Sequence, residues 1–230
     1  MTVNPIKVNR LYKMEENLFD YIVDHLISLK ENDIVAITSK IVSISEFRAF
    51  DSQDVISLAK ENCDSILKEM SHEVITIVNQ IPMPNSGIDK SNGDSKILLL
   101  PEDVNKTASI IRKQLSKKYG VKNIGVIITD SELSNFRNGS IGYAIGYSGF
   151  KGYKDYRGIM DLYGRTMHVS VSNIVDKIAS SAVFVMGEGD ERIPLALISN
   201  LHGIEFNEQY PTEKEIEILK KDITKFPFNV

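Results

Sequence analysis

All 14 glycines of the chain lie from Gly87 onward, and seven of them fall between Gly139 and Gly164. The first 86 residues must therefore fold without the one residue that enters positive φ at no steric cost. Glycine also lets backbone approach a ligand closely, so the later part of the chain can carry a binding surface. The same glycines would equally serve tight hairpin turns, and their distribution alone leaves both readings open.

The glycine-free part reads as helix, strand, helix, strand. Leu18, Ile22, Leu26 and Leu29 recur at helical spacing, and "DIVAITSKIVSIS" follows as a β-rich run. The stretch "DSQDVISLAKENCDSILKEM" predicts a helix with Val55, Ala59, Cys63, Ile66 and Met70 on one face and Asp51 or Ser52 as its N-cap. "EVITIVN" predicts a strand, and the two prolines of "QIPMPN" rule out its continuing as a central one.

The second part opens with the polar loop of "SGIDKSNGDSKILLLP", which feeds an apolar strand. A helix is predicted from about Asp103 to Tyr119, with Ala108, Ile111, Leu115 and Tyr119 inward and Gly120 just past its end. "NIGVIITD" reads as a buried strand ending on Asp130. "TMHVSVSN", "IVDKIASSAVFVM" and "IPLALIS" read as strand, helix and strand. Loose alternation with hairpin-like segments between favours a mixed α+β architecture over a doubly wound parallel sheet.

At 230 residues and 42% hydrophobic, the chain can bury a sizeable core. Its net charge of −4 and scattered lysines exclude the basic footprint that nucleic acid requires. The N-terminus has no apolar signal core, and no apolar run approaches the roughly 18 residues of a membrane span, so a cytoplasmic location without membrane contact is expected. Cys63 is the only cysteine, which excludes an intrachain disulfide and a cysteine metal cluster. It is expected to be a small core residue.

Three acids share one context: Asp89 in "NSGIDKSN", Asp130 in "VIITDSE" and Glu188 in "MGEGDER". Each stands beside glycine or at the end of an apolar element, where loops face a crevice. Without a cation, each pair at about 4 Å would repel by roughly 4 kcal/mol at an effective dielectric near 20. Their convergence would imply a divalent ion, and oxygen donors favour magnesium or manganese over zinc. An aspartate after a strand can also be a helix cap or a turn former. No "GxxxxGK[ST]" and no "GxGxxG" occurs, so a nucleotide site would be neither of P-loop nor of Rossmann type.

In sequence order, "SGIDKSN", "GVIITD", "FRNGSIGYAIGYSGFKGYKDYRGIMDLYGR" and "MGEGDERIP" resemble the coenzyme F-420-0:L-glutamate ligase (γ-glutamyl ligase) family and its folate-type relatives, over roughly residues 31–200. The resemblance implies an α+β fold of mixed, largely antiparallel sheets with packed helices in two subdomains. The chain would be one domain over 1–230, with its glycine-rich part, 87–230, carrying nucleotide and metal. It also implies an activity: GTP or ATP activates an acceptor carboxylate as an acyl phosphate, which the amine of glutamate attacks. Two Mg²⁺ or Mn²⁺ ions would sit on Asp89, Asp130, Ser131 and Glu188, with Asp130 and Asp89 as catalytic carboxylates. Ser39, Lys40, Asn92 and the loop residues Met186, Gly187, Glu188, Gly189, Asp190 and Ile193 match nucleotide-contacting positions. Main-chain N–H groups at Gly187 and Gly189 would meet the phosphates. A homodimer is implied as well, and the aromatic stretch "GYAIGYSGFKGYKDY" suits an interface, a ligand platform or ordinary core burial.

Three departures from the family pattern bear on function. "SISEF" puts Ile44 and Phe47 where the family has lysine and glycine. "TDSELS" puts Leu133 and Ser134 where it has glycine and arginine. Arg192 stands at a usual glycine, and Arg137 remains as an anion contact. A metal-dependent nucleotide phosphohydrolase, or a nucleotide-binding module that no longer catalyses, are the alternative expectations.

Overall fold

The computed structural model describes residues 1–51, 54–78, 81–93, 96–133, 138–209 and 211–219. The chain begins with β1 (Thr2–Ile6), α1 (Leu18–His25), β2 (Ile34–Thr38), α2 (Ser39–Ser45), β3 (Ala49–Phe50) and α3 (Val55–Glu61). β4 (Ser65–Glu69), β5 (Val74–Val78), β6 (Ile81–Pro84) and β7 (Ile97–Leu98) follow, and then α4 (Val104–Tyr119), β8 (Gly125–Leu133) and β9 (Ser140–Ser148). The last elements are β10 (Tyr153–Asp155), β11 (Val171–Asn173), α5 (Ile174–Met186), β12 (Leu195–Ser199) and α6 (Glu213–Leu219).

A five-stranded sheet in the order β1-β12-β2-β8-β9 organises the fold. β2 and β8 pair parallel, and the other three pairings of this sheet are antiparallel. The β3–β7 and β10–β11 ladders and the β4-β5-β6 meander are antiparallel as well. The expected α+β class with mixed, largely antiparallel sheets is therefore what forms. The central sheet takes strands from both the glycine-free and the glycine-rich part, so the boundary at residue 86 is compositional.

β2 shows why both faces of this sheet are apolar. Val35 and Ile37 point into a core with α1, α2 and α4, while Ile34 and Ala36 face α5. A strand covered on both sides reads as a continuous apolar run rather than an alternation. A small third cluster of Leu58, Ile97 and Leu99 packs α3 against β7.

β9 adapts to helices on both faces through an irregularity in its register. Ile128 pairs with Gly146 but Thr129 pairs with Ala144, so Ile145 is an extra residue. The bulge reverses the alternation, and Gly142 and Gly146 consequently face opposite helices. A Cβ at Gly142 would come within 2.3 Å of Val183 Cβ on α5, and one at Gly146 within 2.6 Å of Val104 Cβ on α4.

Several expected elements differ. The helix predicted through Met70 ends at Glu61, where the Asn62 side chain donates to the Leu58 carbonyl. Its N-cap is Asp54, which accepts from Ile56 N at 3.0 Å; Ser52 lies outside the described residues. Ser65–Glu69 forms the solvent-facing strand β4 instead, leaving Ile66 and Met70 about 40% exposed and Cys63 only partly buried. "DIVAITSKIVSIS" divides into β2 and the helix α2, which sends Ile41 and Val42 into the core. β8 runs three residues beyond Asp130, and only the end of "TMHVSVSN" is strand. Tyr147 and Phe150 of the aromatic stretch are core residues, 5% and 2% exposed.

α4 and α5 form where the pattern places them. Asp103 caps α4 by accepting from Lys106 N at 3.1 Å, and Gly120 ends it at φ 68°. Asn173 caps α5 by accepting from Asp176 N at 3.0 Å, and Gly187 ends it at φ 77°. That last stop sets the site.

Candidate functional site

Because β2 and β8 are parallel neighbours, their carboxyl ends open at the same edge of the sheet, and crevices form beyond such ends. Thr38 and Thr129 stand there side by side in register. The chain leaves β2 directly into α2, which brings Ser39 and Lys40 to this edge. α5 arrives from the other face and ends there at Met186 and Gly187.

The resulting cavity, of about 130 Å³, is lined by Lys40, Asp89, Asp130, Ser131 and Glu188, with Thr38, Ser91, Thr129, Val183, Met186 and Gly187 completing the wall. That volume has room for several waters or for a phosphate group with a counter-ion. It is smaller than the pockets that enclose whole drug-sized ligands, so a nucleotide's base and sugar would extend over the surrounding loops.

Strand alternation distributes the donors of β8. Asp130 turns toward α2, where Ser39 lies beside it. Ser131 turns toward the loop after α5 and donates to Glu188 Oε1 at 3.1 Å. Ser140 Oγ also donates to Glu188, 2.7 Å from Oε1 and 2.6 Å from Oε2. Asp89 is held by Lys40 Nζ at 2.5 Å from Oδ2, by Ser91 N at 2.6 Å from Oδ1 and by Ser91 Oγ at 3.1 Å from Oδ2.

The carboxylates titrate differently. Burial pushes the Asp130 carboxyl up to about 6, reinforced by nearby Asp89 and opposed by the Ser131 N–H, Lys40 and Ser39. Burial also pushes Asp89 upward, but the Lys40 ammonium and the Ser91 donors outweigh it and hold Asp89 below the usual aspartate range.

The three acids share this cavity without meeting at one point. Among the described residues, no three His, Cys, Asp or Glu side chains are grouped closely enough to hold a metal ion. The donor chemistry nonetheless fits a hard divalent cation: carboxylate and hydroxyl oxygens alone, with one carboxylate desolvated and short of positive charge. Asp89, Asp130, Ser131 and Glu188 are the residues that would hold it.

Of the other expected contacts, Lys40, Met186 and Gly187 line the cavity, and Ser39 lies behind Asp130. Asn92 sits at the rim, where its Nδ2 donates to the Gly189 carbonyl at 3.0 Å and ties the Asp89 loop to the loop after α5. Asp190 is exposed and outside the lining, and Ile193 packs against the α5 core. The Gly189 N–H already donates to Glu191 Oε2 at 2.8 Å. Ser91, Ser140, Thr38, Thr129 and Val183 were not marked by the sequence. Only the flanking of Asp130 by Thr129 and Ser131 could have suggested one of them.

The departures have structural counterparts. Phe47 and Arg192 both adopt positive φ, 57° and 59°, the region that glycine enters without steric cost. Ile44 packs against the α1–α4 core. Ser134 and Arg137 lie outside the described residues.

A family model described as F420-0:Gamma-glutamyl ligase matches residues 6–200. A Coenzyme F420:L-glutamate ligase from Methanococcus maripaludis strain C7 is 38% identical, over 88% of this chain and 89% of its own length. Proteins of the same name from Methanopyrus kandleri and Methanocaldococcus jannaschii are 30% and 35% identical, over 87% and 74% of this chain and 87% and 76% of their own lengths. With similarity running through both halves of the cavity, the chain belongs to the F420-0:gamma-glutamyl ligase family.

Proposed function

We propose that the chain is a nucleoside-triphosphate-dependent γ-glutamyl ligase, joining L-glutamate to a carboxylate of a deazaflavin (F-420-0) or folate-like acceptor through an acyl phosphate. The observation that carries this reading is the sharing of one cavity by Asp89, Asp130, Ser131, Glu188 and Lys40. The relatives' names supply glutamate and the coenzyme. GTP or ATP as co-substrate and a cytoplasmic location belong to the same proposal. Among the described residues no helix is long and apolar enough to cross a membrane.

In the first step an acceptor carboxylate oxygen attacks the γ-phosphorus, and the bond to the departing nucleoside diphosphate breaks. The glutamate amine then attacks the acyl carbonyl, expelling phosphate and losing a proton as the amide forms. Two Mg²⁺ or Mn²⁺ ions, when bound, would neutralise the phosphate charge and align the reacting oxygens. Asp89, steadied by Ser91, and Asp130 beside Ser39 would hold those ions and through them the phosphate end of the nucleotide. Lys40 supplies a cation to the phosphates, and Ser131 and Ser140 orient Glu188. Val183 and Met186 close the cavity with apolar surface.

Incubation with GTP or ATP, manganese, labelled glutamate and a panel of deazaflavin and folate acceptors tests the reading by product mass. One added glutamate per nucleotide cleaved is the expected result. Cleavage that needs no glutamate would assign a phosphohydrolase, and tight nucleotide binding without turnover an inactive module. The loss of the family arginine at Ser134 removes a bidentate anion contact, so a folate-like acceptor is expected to outperform the phosphodiester-bearing deazaflavin. Leu133→Gly with Ser134→Arg should reverse that order.

A homodimer belongs to the same reading. It rests on the family resemblance; of the aromatic stretch that suited an interface, Tyr147 and Phe150 are core residues, while the excursion between β10 and β11 exposes Met160, Leu162, Tyr163 and Val169. A monomer in light scattering at micromolar concentration would remove this part.

A further inference from the structure

We infer that Glu191 is an internal occupant of the nucleotide loop, an anion that holds the main-chain donor a phosphate would use and that has to leave before a polyphosphate can bind. The inference rests on the nucleotide reading of the cavity. It adds a residue that sets nucleotide affinity from outside the cavity wall.

Three observations carry it. The Glu191 carboxylate accepts the Gly189 N–H at 2.8 Å. The same carboxylate lies over Gly187: a Cβ built there would come within 2.3 Å of Glu191 Cδ and within 2.5 and 2.6 Å of its two oxygens. Gly187, at φ 77°, is itself part of the cavity wall, so the negative charge sits against the backbone that borders the site. An N–H donor serves one strong acceptor at a time, and two anions cannot share it without repulsion.

The loop is shaped to deliver this contact. Arg192, at φ 59°, turns the chain directly after Glu191, and its carbonyl is anchored by Val8 N at 2.9 Å. On the other side Asn92 holds the Gly189 carbonyl at 3.0 Å. The peptides that follow Gly189 and Arg192 are thus anchored on either side of the contact between the Gly189 N–H and Glu191. Glu191 is solvent-exposed, so its carboxylate can swing into water at little cost once a stronger anion competes. A nucleotide therefore binds the open arrangement and has its apparent affinity reduced by the fraction of chains in which Glu191 is seated.

Binding of inorganic tripolyphosphate and of GTP to the full chain, each with manganese, measured by titration calorimetry, tests the inference. Glu191→Gln removes the charge while keeping the shape, and Glu191→Asp keeps the charge but shortens the reach. Both are expected to bind tripolyphosphate about tenfold tighter than the unaltered chain, as when a seated state of about 90% occupancy is abolished. A side chain that merely braces the loop gives the opposite result, because releasing it disorders the donors. Unchanged or weaker binding by variants that melt at the original temperature therefore overturns the inference and leaves the nucleotide reading intact. Failure of the unaltered chain and both variants to bind any polyphosphate brings down the nucleotide reading, and the inference with it.

Discussion

The Lys40 ammonium lies 2.5 Å from Oδ2 of Asp89, joining the first turn of α2 to the loop before β7 across the mouth of the cavity. The pair is about a quarter to a third exposed, and such pairs contribute at most about 1 kcal/mol to stability. Its weight is expected in function. Lys40→Met is expected to raise the nucleotide KM by roughly ten- to a hundredfold, the loss of a charged hydrogen bond worth about 1.5–3 kcal/mol. The melting temperature should barely move. A large fall in melting temperature at unchanged KM would make the pair structural.

Asp130→Asn is expected to abolish turnover and to stabilise the fold near neutral pH. The folded-state pKa, about 6, lies above the ordinary value of 3.8. The carboxyl therefore favours the fold fully only below about pH 4, and ionising it costs stability as pH rises through 6. Asparagine removes that cost, for a gain of roughly 1–3 kcal/mol at pH 7.5 that vanishes near pH 3.5. Thermal melts of both proteins at the two pH values measure it. A gain of the same size at both pH values would show that burial of the charge is not the cause.

Gly142→Ala is expected to destabilise by about 1–3 kcal/mol, the usual cost of overpacking. The new methyl would sit 2.3 Å from Val183 Cβ, and α5 would have to move away from β9. Since α5 ends at the cavity, nucleotide affinity should fall with stability. Denaturant melts and nucleotide titration on the same sample check both. An unchanged melt would mean that α5 is not seated this closely.

Phe47→Gly is expected to stabilise the chain by up to about 1 kcal/mol. Phe47 holds φ 57° with its ring 67% exposed, so it has strain to lose and little packing. Its replacement costs some chain entropy, which offsets part of the gain. A lower melting temperature would reveal a contact made by that ring.

Local elements with both a period and a cap were legible. α4 carries an apolar face, Asp103 at its start and Gly120 at its end, and it forms within a residue of the expected span. α5 begins at Asn173 and ends at Gly187 for the same reason. Residues 51–70 carry the same period, but Asn62 ends the helix and the following residues pair with β5. Periodicity there could not distinguish a continued helix from an outward-facing strand, because the deciding contact is with another strand.

By itself the sequence placed Asp89 and Glu188 in glycine-flanked loops, but it ended the strand at Asp130, whereas β8 continues to Leu133. The glycines of this stretch read as a binding surface or as tight turns, and only the packing showed that Gly142 and Gly146 admit α5 and α4 close to β9. Only the tertiary structure decided that β2 and β8 run parallel side by side, so that Lys40 of one connection meets Asp89 of another. It alone decided that the Gly189 N–H goes to Glu191. A side chain's period along its own strand or helix specifies which face it occupies. Its partner across the cavity is specified by packing between segments distant in sequence, as between Asn92 and Gly189, and no local pattern encodes that.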